Sequence, residues 1–183
     1  MTELFEQIVN IQSQYQQMQM DYWLNHNLFS GIWWLIVIIN LSSLLLFIVL
    51  MDKKNILLMT LTLLISFTLI GISNEIGNYF GYWDYPYQFI PFLESFNAVD
   101  FLVIPVIISL MYQFVNGWRK YLITNLILSS LLAFIGIPIS VYLNLYTLIN
   151  WNVFYSFLTL FAVGCLVKIA SDFIKNKSSA NMT

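Results

Sequence analysis

The carboxylate best placed to do chemistry in this chain is Glu75. Gly71, Asn74, Glu75 and Asn78 follow one another at steps of 3, 1 and 3, a spacing that sets them along one stripe at the end of an apolar helix. A small, polar face beside long apolar ones turns away from lipid, so Glu75 is expected inside a helix bundle near its outer surface. There it would be hydrogen-bonded by neighbouring helices or by the 79–87 loop. Such a group can hold a ligand or ion, or it can serve as a helix-end carboxylate bonded to Tyr or Asn. Asp84, within the Trp83-Asp84-Tyr85-Pro86 run, and Asp100 join Glu75, Asn74 and Asn78 as candidate ligand- or ion-binding residues. Each has a structural account beside the chemical one. Asp84 can bond nearby backbone amides in a turn, and Asn97 with Asp100 three residues on has the form of a helix cap with its partner.

Patterns that would demand catalysis are missing. The single His26 forms no HExxH pair, and the sequence has no GxSxG, Walker loop, CxxC or GxGxxG. The single Cys165 allows no internal disulfide and matches no metal or redox spacing, which makes packing its role. His26, Glu75, Asp84 and Asp100 are able to bind a cation only if the fold brings them together, since nothing in their spacing requires it. The reading is therefore of no metal and no cofactor, and an enzyme is disfavoured: it would need two convergent acid–base groups, which only Glu75 with Asp100 or His26 could supply.

These residues must be positioned by membrane-spanning helices. The chain is 60% hydrophobic and 9% charged with a mean hydropathy of +0.77, far from the composition of soluble domains. Apolar runs at 32–51, 56–73, 101–115, 121–143 and 151–170 approach the length needed to cross a bilayer, the third being short. The expected fold is all-α: an integral membrane bundle of five transmembrane helices preceded by an extracellular amphipathic helix. The domain reading is 1–28 for the outer helix, 29–175 for the membrane domain and 176–183 for a short, unstructured cytoplasmic tail.

The basic residues orient the bundle. Lys53, Lys54, Arg119, Lys120, Lys168, Lys175 and Lys177 all fall on one side of the five runs, and that side is predicted to be cytoplasmic. The N-terminus is then outside, and the lack of a basic region before the first span predicts a helix that stays rather than a cleaved leader. The outer face carries only acidic charge, and no basic surface is large enough for nucleic acid. Two further features shape the outer side. Leu4, Ile8, Ile11, Tyr15, Met18 and Tyr22 recur at steps of 4, 3, 4, 3 and 4, an apolar stripe suited to contact with protein or with the chain's own outer loops. Aromatic residues gather at both membrane boundaries, including Trp83, Tyr85 and Trp151 outside and Trp118 and Tyr121 inside, where rings serve as interfacial anchors. Within the spans, Asn125, Ser129, Ala133, Gly136 and Ser140 form a small-residue face for close helix packing, and Pro105 and Pro138 predict bends.

The segments MDKKN, GYWDYPYQFIPF, IPVIISLMYQF and FIGIPI, taken in order, resemble a family of small uncharacterised integral membrane proteins of endospore-forming Gram-positive bacteria. The resemblance, over about 28–170, implies a bacterial plasma-membrane protein and carries no functional residue onto this chain. The function expected is non-enzymatic: an acidic, aromatic outer surface presented for assembly in the cell envelope, as a homo-oligomer or part of a membrane protein complex in the lipid bilayer. The competing expectation is a small-molecule or ion carrier, or its membrane subunit, that uses Glu75 in an outer-facing cavity between the bent halves of spans three and four.

Overall fold

The computed structural model describes residues 2–91 and 100–180. In chain order the elements are α1 (Glu3–Tyr22), α2 (Gly31–Leu50), α3 (Ile56–Tyr79), β1 (Trp83–Asp84), α4 (Asp100–Phe114), α5 (Trp118–Leu131), α6 (Ile137–Tyr142), β2 (Thr147–Leu148) and α7 (Val153–Ala180). A π-helical turn, Leu132–Gly136, joins α5 to α6 into one rod. Four stretches, Gly31–Leu50, Lys53–Tyr79, Trp118–Tyr142 and Val153–Ser178, are each long and apolar enough to cross a membrane. Large apolar side chains face outward along them, among them Leu41, Leu57 and Phe173 at 60%, 72% and 62% exposure. Continuous apolar surface of this kind suits a hydrocarbon solvent, in which helices alone satisfy their own backbone groups.

The fifth expected span is the point of difference. α4 has 15 residues, about 22 Å at 1.5 Å per residue, less than the roughly 30 Å of a hydrocarbon core. Its proposed extension through 97–99, the Asn97 cap and the side chain of Asp100 lie outside the described residues. α4 is nevertheless central, packing against both α2 and α3. Asn40, buried on α2, accepts a hydrogen bond from the Leu102 N–H at 3.0 Å and so satisfies one of the orphan donors in α4's first turn. Pro105 is accommodated inside the helix, where the Ser109 hydroxyl donates to its carbonyl oxygen at 2.7 Å. Pro138 follows the π-helical turn, which shifts the backbone ahead of the ring at the point where a regular helix would clash.

The helices alternate in direction, so the basic connections gather at one end of the bundle. Asp52 caps the turn before α3, accepting from Lys54 N–H at 3.0 Å and from Asn55 Nδ2 at 2.7 Å. First the Asn55 amide and then the Lys54 N–H hold the Asp52 carboxyl below the usual aspartate range. That help to the cap is present at neutral pH and fades only in acid, as pH falls through the lowered pKa. Gln113 clamps the same corner, donating to Leu50 O at 2.8 Å and accepting from Asp52 N–H at 2.7 Å. Farther along, Thr62 of α3 and Ser171 of α7 share a hydrogen bond of 3.0 Å with both residues fully buried. Small hydroxyls at such contacts let helix backbones close in.

Between α5 and α7 the small-residue face does what its spacing predicts. Asn125, Ser129 and Ala133 are buried, and a Cβ on Gly164 would collide with the Asn125 amide. Asn125 donates to Phe161 O at 2.9 Å, and the Tyr121 hydroxyl donates to Gly164 O at 2.8 Å. Tyr121 is therefore fully buried between helices and does not act as the boundary anchor expected of it. The chain end also differs from expectation: α7 continues as helix to Ala180, with Lys177 in its last turn complementing the helix dipole, instead of ending near Lys175 in an unstructured tail.

Candidate site: an aromatic-lidded cavity

At the end of the bundle opposite the basic residues, two connections meet and close over the helices. β1, between α3 and α4, pairs antiparallel with β2, between α6 and α7, placing Trp83 opposite Leu148 and Asp84 opposite Thr147. The pairing continues where Ile149 and Asn150 N–H both donate to Tyr82 O, at 3.0 and 3.1 Å. A two-residue ladder is weak by itself, and rings complete it. Tyr82 stacks on Trp151 at 4.9 Å, Trp83 meets Trp151 edge-on at 5.1 Å, and Tyr85 meets Tyr146 edge-on at 5.2 Å. Trp151 is fixed from below by donating its indole N–H to Ser156 Oγ at 2.9 Å. Trp83 and Tyr85 are buried, so they form a lid and are not the head-group anchors expected from their place in the sequence.

Gly77 explains how the lid sits so close. Any Cβ at that position would overlap the Trp83 indole, so the absence of a side chain lets the ring lie directly on α3. Three residues earlier, Asn74 accepts a hydrogen bond from the Tyr85 hydroxyl at 3.2 Å, tying the other lid residue to the same helix.

Beneath the lid is a cavity of about 230 Å³ between α3, α4, the rod of α5 and α6, and α7. Ile70, Ile104, Leu132 and Leu160 form its apolar body, and Ser73, Asn74, Ser140, Ser156 and Thr159 supply scattered polar groups. Gly136 and Ser140, the last two members of the small-residue face, line it too: the face that closes α5 on α7 at one end leaves room at the other. No Asp, Glu, Lys, Arg or His is among the described residues lining the cavity. Such a wall can bind and orient a neutral molecule by shape and a few hydrogen bonds. Its hydrogen-bonding groups are hydroxyls, the Asn74 amide and the Tyr and Trp ring edges.

The sequence-predicted site residues separate. Asn74 lines the cavity. Asn78, one turn on, leaves its side-chain oxygen buried without a partner but does not line the cavity. Glu75 is exposed and makes no hydrogen bond among the described residues, which overturns the expectation that it lies inside the bundle. The reason is helical phase: Asn74 and Gly77 point inward to the lid, and Glu75, 100° away from Asn74, points out. Asp84 is exposed and its carboxylate accepts from the following Tyr85 N–H at 2.7 Å, the local turn bond expected of it. Among the described residues no group of three or more His, Cys, Asp or Glu side chains comes together. The residues that sequence reading missed as a site are Trp83, Tyr85, Tyr146 and Trp151. Their signal was present in the pairing of an aromatic run before span three with another before span five, which only the strand register makes visible.

The N-terminal helix stands apart from this site. α1 forms over the predicted residues and contains no buried side chain. Leu4, Ile8, Ile11 and Met18 are exposed by 67%, 52%, 67% and 65%. Its far end is tethered to the lid segment, with Gln19 Nε2 donating to Gln88 Oε1 at 3.3 Å and Trp23 Nε1 to Gln88 O at 3.0 Å. Comparison with protein-family models, curated proteins and solved structures finds no match to this chain.

Proposed function

We propose that this chain is a five-span membrane protein, with its N-terminus outside and its C-terminus cytoplasmic, that binds a small neutral and mostly apolar molecule in the cavity under its outer lid. It would act as a binding protein or as the membrane subunit of a carrier. The observation that carries the reading is the cavity itself: about 230 Å³ of space walled by aliphatic and aromatic side chains, with isolated polar groups and no charge. A carrier built on Glu75 loses its support, because that carboxylate is exposed and away from the cavity. The place in a bacterial plasma membrane rests on the sequence resemblance, and the orientation on the basic connections.

Filling the cavity tests the function. Gly136 lines it, and a Cβ there would meet only the Leu131 carbonyl oxygen, at 3.9 Å. Gly136→Leu should therefore occupy the cavity without opening the lid. In lipid nanodiscs, a photoreactive aliphatic diazirine should label the cavity walls of the native protein, and the variant should lose most of that labelling while unfolding at an unchanged or higher temperature. Equal labelling of cavity and lipid-facing residues, unaffected by Gly136→Leu, would sink the proposal.

Orientation has its own check. A reporter enzyme active only outside the cytoplasm, fused after Thr183, should be silent, and strong activity there would reverse the topology.

A second reading, assembly in the envelope as a homo-oligomer or with another membrane protein, is favoured by one observation, the exposed apolar stripe of α1. Its polar face is rich in Gln and Asn and has no Lys or Arg, which suits protein more than anionic lipid. Replacing Ile8, Ile11 and Met18 with Asp should split a detergent-stable assembly while leaving cavity labelling intact; an unchanged assembly size would remove this reading.

A further inference from the structure

The cavity is closed at its lid end and loosely walled on one side. Trp83, Tyr85 and Leu145, which line the lid end, are only 7%, 5% and 4% exposed. The rod wall differs. α5 and the π-helical turn pack closely on α7, but among the described residues α6 packs closely on none of α3, α4 and α7, although Gly136, Ile137 and Ser140 line the cavity. The change between the two halves is built into the backbone. Tyr121 and Asn125 hydrogen bonds hold α5 to α7, and the π-helical turn and Pro138 then interrupt the regular ladder on the way into α6. The gap beside α6 lies at membrane depth. α6 falls wholly within the apolar stretch Trp118–Tyr142, and the cavity-lining residues of α7 fall within Val153–Ser178. Ile135, Ile139 and Leu158, each next in sequence to a cavity-lining residue, are exposed, so the surface around this wall is apolar.

We infer that the cavity is entered sideways from the bilayer, beside α6, and holds part of an alkyl chain whose remainder stays in the lipid. This rests on the reading of the cavity as a ligand site. Size supports a partly admitted chain: an apolar cavity of about 150 Å³ holds benzene, so one of about 230 Å³ takes on the order of ten non-hydrogen atoms. A chain of membrane length exceeds that, and only a side opening lets the excess remain in hydrocarbon. A chain already dissolved in lipid gains no hydrophobic free energy on entry. Its binding comes from dispersion contacts with Ile70, Ile104, Leu132 and Leu160, each small and large only in sum. A charged headgroup stays outside, because the described wall has no ionised side chain to replace its hydration. The same chemistry is offered by the acyl chain of a phospholipid and by a free long-chain amphiphile.

The experiment is photolabelling of the full chain in nanodiscs with three diazirine probes: a phosphatidylcholine carrying the group midway along one acyl chain, a free long-chain alcohol carrying it at the same place, and a charged, water-soluble diazirine. The reporters are Ile70 and Ile104, which line the cavity and are 5% and 8% exposed, with lipid-facing Leu41 and Leu57 as the reference for contact with the bilayer. Long-chain probes should label Ile70 and Ile104, and the charged probe should label neither. Labelling by the phospholipid identifies a chain still attached to its headgroup; labelling by the alcohol alone identifies a free amphiphile, and either result supports side entry. Gly136→Leu should reduce the labelling of Ile70 and Ile104 severalfold and leave Leu41 and Leu57 unchanged. The native protein decides the matter even if that variant does not fold. Cavity labelling by the short aliphatic diazirine but by neither long-chain probe would overturn this inference and leave the binding reading standing. Labelling of Ile70 and Ile104 by the charged probe as strongly as by the long chains would also overturn it, since the cavity would then open to water. Failure of every probe to reach the cavity would overturn the binding reading and this inference together.

Discussion

Asp172→Leu should destabilise the protein by about 3 kcal/mol, the lower end of the range for breaking a buried ion pair from one side. The reason is what it leaves behind. Lys168 is 6% exposed, and its ammonium lies 3.0 Å from Asp172 Oδ1. Around it stand the rings of Tyr112, Trp118 and Tyr121, with centroids at 4.9, 5.5 and 5.3 Å. Asp172 also accepts from the Tyr112 hydroxyl at 3.1 Å, so one carboxylate joins α4 to α7 and neutralises the only charge in the cage. Its side chain is 26% exposed, which is why the lower end of the range applies. Without the carboxylate, three aromatic faces attract the ammonium but cannot replace its lost hydration. The double variant Lys168→Met, Asp172→Leu should recover most of the loss, because a buried pair replaced by apolar groups of similar volume is often neutral. Reversible unfolding in bicelles would measure both. A loss under about 1 kcal/mol for Asp172→Leu would mean that water reaches Lys168 and that the pair behaves as an exposed one.

The second large effect is expected from adding a single methyl group. Gly77→Ala places a Cβ inside the volume of the Trp83 indole, and the helix backbone cannot withdraw, so the ring must move. Overpacking of this kind costs about 1–3 kcal/mol. Moving the ring also separates Trp83 from Trp151 and opens the cavity, so Trp83 should become accessible to an aqueous fluorescence quencher and the diazirine labelling should fall. Gly71→Ala is the matched control: it lies on the same helix with nothing within 4 Å of the new Cβ. It should be neutral or slightly stabilising, since alanine restricts the unfolded chain. Equal stability of the two variants would show that the lid tolerates displacement, and the close contact at Gly77 would lose its significance.

The legible part of this fold is the part governed by solvent. Long apolar runs can only be helices in hydrocarbon, and four of them appear where composition puts them, together with the shorter α4. Small residues at a helical period can only mean close approach, and Asn125, Ser129 and Ala133 are buried accordingly. The site was less legible because it depends on phase and register. One residue along α3 separates Asn74, inside, from Glu75, outside. A stripe assignment based on steps of 3 and 1 includes both, and only Asn74 lines the cavity. Trp83 and Tyr85 were hidden for a similar reason. Aromatics near a span end are commonly boundary anchors, and what distinguishes these two is contact with residues more than sixty positions away, Trp83 through its strand pairing with Leu148 and Tyr85 through the Tyr146 ring.

The clasp between β1 and β2 also sets the order in which the protein can mature. Trp83 leaves the ribosome well before Leu148, its partner, and the cavity wall is complete only after Leu160 has been made. Until then the three lid residues nearest α3, Tyr82, Trp83 and Tyr85, lack their ring partners Tyr146 and Trp151. A nascent chain halted after α5 therefore holds inserted helices and the Gln113 corner, yet exposes an unpaired backbone edge with a row of rings. Such an edge is a template for pairing with another chain. The segment that leads into α7 brings the second half of the clasp, so the edge is covered and the cavity wall completed at the same stage of synthesis.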